Sequence, residues 1–315
     1  MTAEELRVRG VIPAGRRQIL VPLDGTPAAE HALPYAIAMA QQSGAILQIA
    51  QIYSYFDDFR ERGLSWSDEN PVGTVQGPRK RYLATIVRRI ARHWNIPIVA
   101  NLIQDDRSEE ALRNLHGEAG LTVMTSRRRT WLGRFCRRSM VDALLTSAER
   151  PLLLVEGHDF PVDLTGSPVC QHVLAVIETG DDLPETVDEF WVGPRPRDAQ
   201  LTILPLNEDA AGPLAGWAAT QREEGCGVRI ETLSPMTPHQ VYDFVEERDV
   251  DLMAVPHLGH LRAFPWEDHT ALRSIAAGAP VPVLVRGSLP SPVAAVERFV
   301  VDPIRPGLSG GLDQS

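Results

Sequence analysis

Long apolar runs are missing from this sequence. No run reaches the ~18 apolar residues that a membrane-spanning helix needs. The first residues, MTAEELRVRGVIPAGRR, mix acids with arginines and lack the central apolar segment of a signal peptide. The sequence therefore predicts a protein of the cytoplasm with no membrane partner.

Cysteine is scarce, and basic charge is outweighed by acidic charge. The three cysteines, Cys136, Cys170 and Cys226, are far apart and form no C-x-x-C pair. This spacing argues against a disulfide framework and against a cysteine zinc site. The net charge of −10 repels nucleic acid at long range, so nucleic acid is not an expected partner. Any anion must be bound by a local basic patch.

Common catalytic and nucleotide motifs are also missing. The chain has no G-x-S-x-G elbow, no G-x-x-x-x-G-K-[ST] loop, no G-x-G-x-x-G and no H-E-x-x-H. We assign no catalytic residue and expect a protein that is not an enzyme.

Short aliphatic runs alternate with amphipathic stretches from Gln18 onward, as in βαβ units around a parallel sheet. Strands are predicted in RQILVPL, AILQIAQIY, IPIVANL, LTVMT and PLLLVEG. Helices are predicted over Pro27–Gln42, Arg79–Trp94, Ser108–Glu118 and Ser139–Ala148. The segment SYFDDFRERGLSWSDENPVGTVQGP, rich in Gly, Pro, Asp and Ser, is predicted to be an irregular connection.

The same order of elements recurs in the second half. Strands are predicted in HVLAVIE, AQLTILPLN, GVRIETL, DLMAVP and PVPVLVRG, and helices over Pro213–Glu224, Pro238–Glu247 and His269–Ala277. We therefore expect two Rossmann-like α/β domains, each a five-stranded parallel sheet with helices on both faces. They span residues 17–158 and 171–287, with the linker HDFPVDLTGSPVCQ between them and a tail over 288–315.

Two segments lie where such a sheet binds ligands, beyond the carboxyl ends of strands at which strand order reverses. Asp24 follows the first strand, directly before a helix. The loop after the fourth strand, VMTSRRRTWLGRFCRRSMVDALL, leads into a helix that starts at Ser139. The N–H groups and dipole of that helix favour an anion.

These segments resemble the universal stress protein family. ILVPLDGTPAAEHALPYA is similar to its first strand and helix, VMTSRRRTWLGRFCRRSMVDALL to its phosphate loop, and RPLLLVEG to its last strand. The resemblance spans Gln18–Gly157 and, more weakly, His172–Arg286. It implies a stress-associated protein in which the two copies pack on each other as the family's homodimers do, forming an intramolecular pseudo-dimer.

ATP-binding members of the family carry G-x2-G-x9-G-[ST] after the fourth strand, because glycines let the backbone approach the phosphates. The matching positions of the first copy keep the hydroxyl and lose all three glycines: Thr125, Arg128, Arg138 and Ser139. The second copy keeps one glycine and the hydroxyl: Pro256, Gly259, His269 and Thr270.

The resemblance also implies a nucleoside contact at Asp24, with Glu178 as its counterpart in the second copy, and an adenine contact at Ile52. The remaining site positions of the first copy are Pro22, Met124 and Met140. ATP is the only cofactor that the resemblance suggests. Asp24 has a second interpretation, because Asp-Gly-Thr-Pro is typical of a turn that leads into a helix.

A basic loop follows the fourth strand of this acidic protein. Its arginines are Arg127, Arg128, Arg129, Arg134, Arg137 and Arg138. They either bind a phosphate in place of the lost backbone contacts, or fill the pocket through Arg128 and Arg138. The third interpretation is an exposed loop whose charges pair with acids of the other domain.

Histidines and acids crowd the corresponding loop of the second copy: His257, His260, Glu267, Asp268 and His269. Their spacing matches no zinc signature, so we predict a polar loop and no metal. We expect a stress-associated regulatory or binding protein with degenerate pockets. Binding of ATP or another phosphorylated ligand in the first domain, with slow hydrolysis, is the alternative. A third hypothesis, an enzyme of the wider nucleotide-binding α/β group, lacks the phosphate signatures.

Overall fold

A computed structural model describes residues 17–63, 70–126, 141, 144–145, 150–166, 168, 170–177, 199–205, 211–223, 227–233, 237–255 and 271–286. The strands in these ranges are β1 Gln18–Pro22, β2 Ile46–Tyr53, β3 Ile98–Gln104, β4 Leu121–Ser126, β5 Leu152–Glu156, β6 His172–Ile177, β7 Gln200–Pro205, β8 Gly227–Ile230, β9 Leu252–Val255 and β10 Val283–Val285. The helices are α1 Pro27–Glu30, α2 Leu33–Ser43, α3 Tyr55–Arg62, α4 Pro71–His93, α5 Ser108–Glu118, α6 Ala211–Glu223, α7 Pro238–Glu247 and α8 Ala271–Gly278.

One sheet contains these strands in the order β3-β2-β1-β4-β5-β10-β9-β6-β7-β8. Its neighbours are parallel except β5 and β10, which pair antiparallel with Leu154 opposite Val283 and Leu152 opposite Val285. The predicted α/β class is confirmed. The two sets of five parallel strands form a single sheet whose order is mirrored about the β5–β10 pair, which we call the joint.

The core continues across the joint on both faces of the sheet. One buried cluster contains Leu153 of β5 and Leu284 of β10 and packs against α2, α4 and α6. The cluster on the other face contains Leu152 and Val285 and packs against α5, α7 and α8. Because helices cover both faces, the central strands are apolar at nearly every position, as buried parallel strands usually are.

The predicted connection after β2 contains regular structure, so that prediction is wrong. Ser54 caps α3 by accepting a hydrogen bond from Asp57 N, and Asn70 caps α4 by accepting one from Gly73 N at 2.9 Å. Buried aromatic residues hold these helices together: Tyr53, Tyr55 and Phe59, with Val75. This local cluster and the two caps outweigh a composition that is typical of loops.

The helix predicted over Arg79–Trp94 is α4, which begins eight residues earlier at Pro71. The other predicted helices that are described lie close to their predicted bounds. Ser108–Glu118 and Pro238–Glu247 agree with α5 and α7. The helix predicted over Pro27–Gln42 is divided into α1 and α2 by a turn at residues 31–32, and Gly44 ends α2 in the left-handed region at φ 64°. Of the helix predicted over Ser139–Ala148, only Val141, Leu144 and Leu145 are described, and they are helical and buried.

The segment after β5 is packed along the first half of the chain. Val162 and Leu164 are buried in the core. Two side chains of the α4 region donate to backbone oxygens of this segment, Arg89 to Val162 O at 2.8 Å and Trp94 Nε1 to Leu164 O at 2.6 Å. The predicted linker is therefore held in place at its amino-terminal part. Within the described ranges, no helix is long and apolar enough to cross a bilayer, and the predicted tail at 288–315 lies outside them.

Candidate functional site

The reversal of strand order lies between β1 and β4. β1 pairs with β2 on one side and β4 on the other, so the crossovers from these strands diverge there. Asp24 follows the end of β1, and Thr125 and Ser126 end β4. The sequence therefore correctly predicts which strand ends meet at the position where doubly wound sheets bind ligands.

Asp24 is exposed and holds its own turn. Its Oδ1 accepts hydrogen bonds from Thr26 N at 2.8 Å and from Thr26 Oγ1 at 2.6 Å. Thr26 in turn caps α1 by accepting from Ala29 N at 3.3 Å. Between them Gly25 adopts φ 91°, a conformation that favours glycine. The turn role predicted from Asp-Gly-Thr-Pro is confirmed, and the nucleoside contact stays a prediction.

Buried polar groups lie behind this turn. Gln51 on β2 is only 5% exposed, and its Oε1 has no hydrogen-bond partner among the described residues. Its Nε2 lies 3.3 Å from the place that a Cβ on Gly25 would occupy. Residue 25 must therefore be small as well as conformationally free. The sequence does not predict Gln51 because it lies inside a strand that is otherwise almost entirely apolar.

A carboxylate and a phenol lie under the same turn. Glu30 is buried and pairs with Arg89 at 2.6 Å. Burial, followed by the negative charges of Glu30 and Asp24, raises the pKa of Tyr82 well above its usual range. The end of β1 thus has two carboxylates and one arginine beside it. A triphosphate at this position would need further positive charge from the arginine-rich loop.

Two of the predicted contact residues belong mainly to the core. Met124 is 8% exposed within the apolar cluster of the α5 face, and Ile52 is half-buried against the same cluster. Thr125 is half-buried and packs tightly, because a Cβ on Gly157 would lie 3.1 Å from the Thr125 Cβ and 3.0 Å from Ala28 O. Pro22 is half-buried at the end of β1.

The rest of the predicted site lies outside the described residues. These positions are Arg128, Arg138, Ser139 and Met140 of the first copy and Glu178, Pro256, Gly259, His269 and Thr270 of the second. The other loop arginines and the histidine and acidic residues at 257–268 also lie outside. Within the part of the chain that is described, no group of three or more histidines, cysteines and acids is arranged to hold a metal.

A polar cluster follows β2 and is not predicted by the sequence. Gln76 Nε2 donates to Tyr53 OH at 2.9 Å and to Tyr55 OH at 2.7 Å, and Arg79 pairs with Asp58 at 2.7 Å. Burial, followed by the hydrogen bond with Tyr55, raises the pKa of Tyr53 to about 12, so the Tyr53 phenol stays neutral. These contacts fix α3 directly after β2, beside Ile52.

A cavity of about 270 Å³ lies at the joint. On one side it is lined by residues of the α1–α2 turn, α2, β4, β5 and the segment after β5, and on the other by residues between 276 and 285 of the second half. The sequence pattern does not predict it, because its walls are more than a hundred positions apart in the chain.

Comparisons with known proteins agree with this architecture. Residues 15–156 match the model of the universal stress protein family. A universal stress protein from Archaeoglobus fulgidus DSM 4304 superposes with a TM-score of 0.61 at 16% identity, covering 86% of this chain and 97% of that chain. A Pseudomonas aeruginosa UCBPP-PA14 protein, provisionally described as a universal stress protein, gives 0.53 at 14% identity and covers 89% and 96%.

These structural likenesses, at such low identity, show the shared fold. No curated protein matches the sequence. The family match covers the part of the chain from β1 to β5.

Proposed function

We propose that this chain, whose residues 15–156 match the universal stress protein family, is a tandem member of that family and a stress-associated regulatory or binding protein of the cytoplasm. Strand order supports the tandem form: β3-β2-β1-β4-β5 is mirrored by β8-β7-β6-β9-β10. We infer that the second set of strands takes the place of a partner copy and that the chain forms an intramolecular pseudo-dimer.

The regulatory role rests on the state of Asp24. One of its carboxylate oxygens is committed to Thr26 N and Thr26 Oγ1 within its own turn. A second carboxylate, Glu30, is buried beneath it. The loop that would bind the phosphates has Thr125, Arg128 and Arg138 at the three positions where ATP-binding members of the family have glycine. We infer a pocket that no longer serves ATP, in a protein that acts through its conformation or a protein partner and is not an enzyme.

Calorimetric titration of the nucleotide-stripped protein with ATP tests this proposal. We expect no saturable heat, and no rise in the melting temperature at millimolar ATP, because a ligand present well above its Kd stabilises the folded state measurably. The matched variant carries Asp24→Ala and Arg128→Ala. Saturable binding to the parent protein that is lost in the variant would sink the proposal and establish a nucleotide site with rebuilt phosphate contacts.

Retained binding of ATP or another phosphorylated ligand in the first half, with slow hydrolysis, is the second candidate. It is favoured by the position of Asp24, which is exposed at the point where strand order reverses. If ATP binds there, the two single variants distinguish a contact to the phosphates from a contact to the nucleoside. Arg128→Ala would weaken ATP binding and leave adenosine binding unchanged, whereas Asp24→Ala would weaken both.

A further inference from the structure

The segment directly after β5, residues 157–166, is fastened to the first half of the chain, and we call it the strap. The acceptors alternate along its backbone, at positions 160, 162 and 164, as they do in an extended segment that is held from one side. The strap continues toward β6 and so begins the linker between the two halves. Three side chains of the first half donate to its carbonyl oxygens: His31 to Phe160 O at 2.9 Å, Arg89 to Val162 O at 2.8 Å and Trp94 to Leu164 O at 2.6 Å.

Buried side chains also hold the strap. Val162 and Leu164 belong to the core cluster that packs against α2, α4 and α6. At the start of the strap, Gly157 lies so close to α1 that a Cβ there would be 3.0 Å from Ala28 O. Opening of the strap must therefore break its hydrogen bonds and expose two apolar side chains to water.

One guanidinium group joins the strap to α1. Arg89 Nη1 donates to Glu30 Oε2 at 2.6 Å, while Arg89 Nη2 donates to Val162 O at 2.8 Å. Glu30 is the last residue of α1 and is only 8% exposed. A buried carboxylate is costly without a positively charged partner, so Glu30 holds Arg89 in place. Loss of either contact therefore leaves Arg89 less well oriented for the other.

The helix α1 has four residues, and its two ends have different partners. Thr26 caps its first end by accepting from Ala29 N, and Thr26 Oγ1 donates to Asp24 Oδ1 at 2.6 Å. At the other end, Glu30 pairs with Arg89. Isolated helices shorter than ~12–15 residues are marginal in water, so α1 depends on these contacts. A displacement at one end of α1 is therefore expected to alter the contacts at the other.

We propose that Arg89 couples the Asp24 turn to the strap, so that a change in the turn alters how firmly the start of the linker is held. The helix α1 begins at the turn and ends at Glu30, which Arg89 joins to Val162 O. Binding of a ligand or a protein partner at the turn then changes how firmly the second half is attached to the first. This coupling goes beyond the proposed function, because it does not depend on whether ATP binds at Asp24.

Thiol labelling measures how often the strap opens. In a chain whose three native cysteines are replaced by serine, Val162→Cys reports on the strap, because a buried thiol reacts only when the segment around it opens. The matched reporter, Val176→Cys on β6, is fully buried in the second half and reports on global unfolding. We expect Val162→Cys to react at least about tenfold faster. Equal rates would show that the strap opens only when the whole protein unfolds, which overturns the proposal.

Substitutions at the turn test whether the coupling depends on Arg89. Thr26→Ala removes the cap of α1 and changes no residue of the strap, and it should speed labelling of Val162→Cys about fivefold. Arg89→Met should speed it about tenfold, since it removes a hydrogen bond from a charged group. Once Arg89 is replaced, adding Thr26→Ala should have no further effect. The control Arg92→Met replaces an exposed arginine on the same helix and should change nothing.

A second variant distinguishes coupling from simple loosening of the strap. Trp94→Phe removes another of its hydrogen bonds and should speed labelling of Val162→Cys, but Thr26→Ala should still add its full effect in that background. Every rate is taken relative to that of Val176→Cys in the same variant, which removes changes in global stability. The proposal is overturned if Thr26→Ala leaves the relative rate unchanged, or if its effect is the same with and without Arg89.

Discussion

Acidification from pH 7 to pH 4 is expected to remove about 3 kcal/mol of unfolding free energy through one buried histidine, His116. His116 is 2% exposed, its Nδ1 lies 2.8 Å from Thr122 Oγ1, and its Nε2 has no hydrogen-bond partner among the described residues. Burial, followed by the positive charge of Arg150, lowers the pKa of His116 from 6.5 to about 4.

The direction in which stability changes with pH follows from the number of protons that each state binds. Between pH 4 and pH 6.5 the unfolded chain protonates His116 and the folded chain does not, so the unfolded state binds more protons. Stability is therefore fully present above pH 6.5 and is lost as the pH falls toward 4. Over the 2.5 pH units between the two pKa values, a cost of about 1.36 kcal/mol for each unit gives the expected loss.

Urea unfolding between pH 4.5 and pH 7 measures this effect. The parent protein, His116→Gln and a control, His93→Gln at the exposed end of α4, are compared, so that the titration of carboxylates common to all three cancels. We expect His116→Gln to lose most of the pH dependence, and His93→Gln to keep it. Equal pH dependence in His116→Gln and the parent protein would show that the ring is not held neutral by burial.

Replacement of Leu152 by alanine is expected to cost about 3 kcal/mol, within the range measured for leucines in rigid cores. Leu152 is fully buried opposite Val285, which is 1% exposed, in the cluster that both halves share. The cavity left behind borders both strands of the joint. The second half should therefore be destabilised by a substitution made in the first.

Hydrogen exchange detects this coupling. In Leu152→Ala we expect faster amide exchange in β9, Leu252–Val255, as well as in β5. The control is Leu102→Ala on β3, a half-buried leucine at the far edge of the sheet, which should leave exchange in β9 unchanged. Unchanged β9 exchange in Leu152→Ala would contradict a core shared across the joint.

The sequence predicts the strands and most helices because their signals are local. A strand buried on both faces, such as Leu152–Glu156, is apolar at nearly every position, and a helix such as Pro238–Glu247 has Thr237 as its cap. The helices after β2 depend instead on contacts between Tyr53, Tyr55 and Gln76, which no periodicity shows.

The sequence predicts the candidate site only where the order of strands and helices along the chain determines a residue's position. The position of Asp24 after β1 follows from the βαβ pattern, and its turn follows from Asp-Gly-Thr-Pro. The joint and its cavity depend on pairing between strands that lie far apart in the sequence. Nothing in either strand specifies that β5 meets β10 antiparallel, and so the cavity lined by His31 and Ala279 could not be anticipated.

A cysteine pair across the joint tests directly whether the two halves are joined within one chain. Leu154 and Val283 are opposite each other in an antiparallel pair, where Cα atoms lie about 4.5–5.5 Å apart, a separation that a disulfide can span. The pair Leu154→Cys and Val283→Cys is placed in a chain whose three native cysteines are replaced by serine. The control pairs Leu154→Cys with Leu201→Cys on β7, several strands away.

After oxidation, the products are separated without reductant and mapped by peptide mass. The joint predicts a disulfide between positions 154 and 283 within one chain of about 34.7 kDa, and none in the control. A disulfide-linked species of twice that mass, or no disulfide at all in the Leu154 and Val283 pair, would contradict the intramolecular joint and with it the pseudo-dimer.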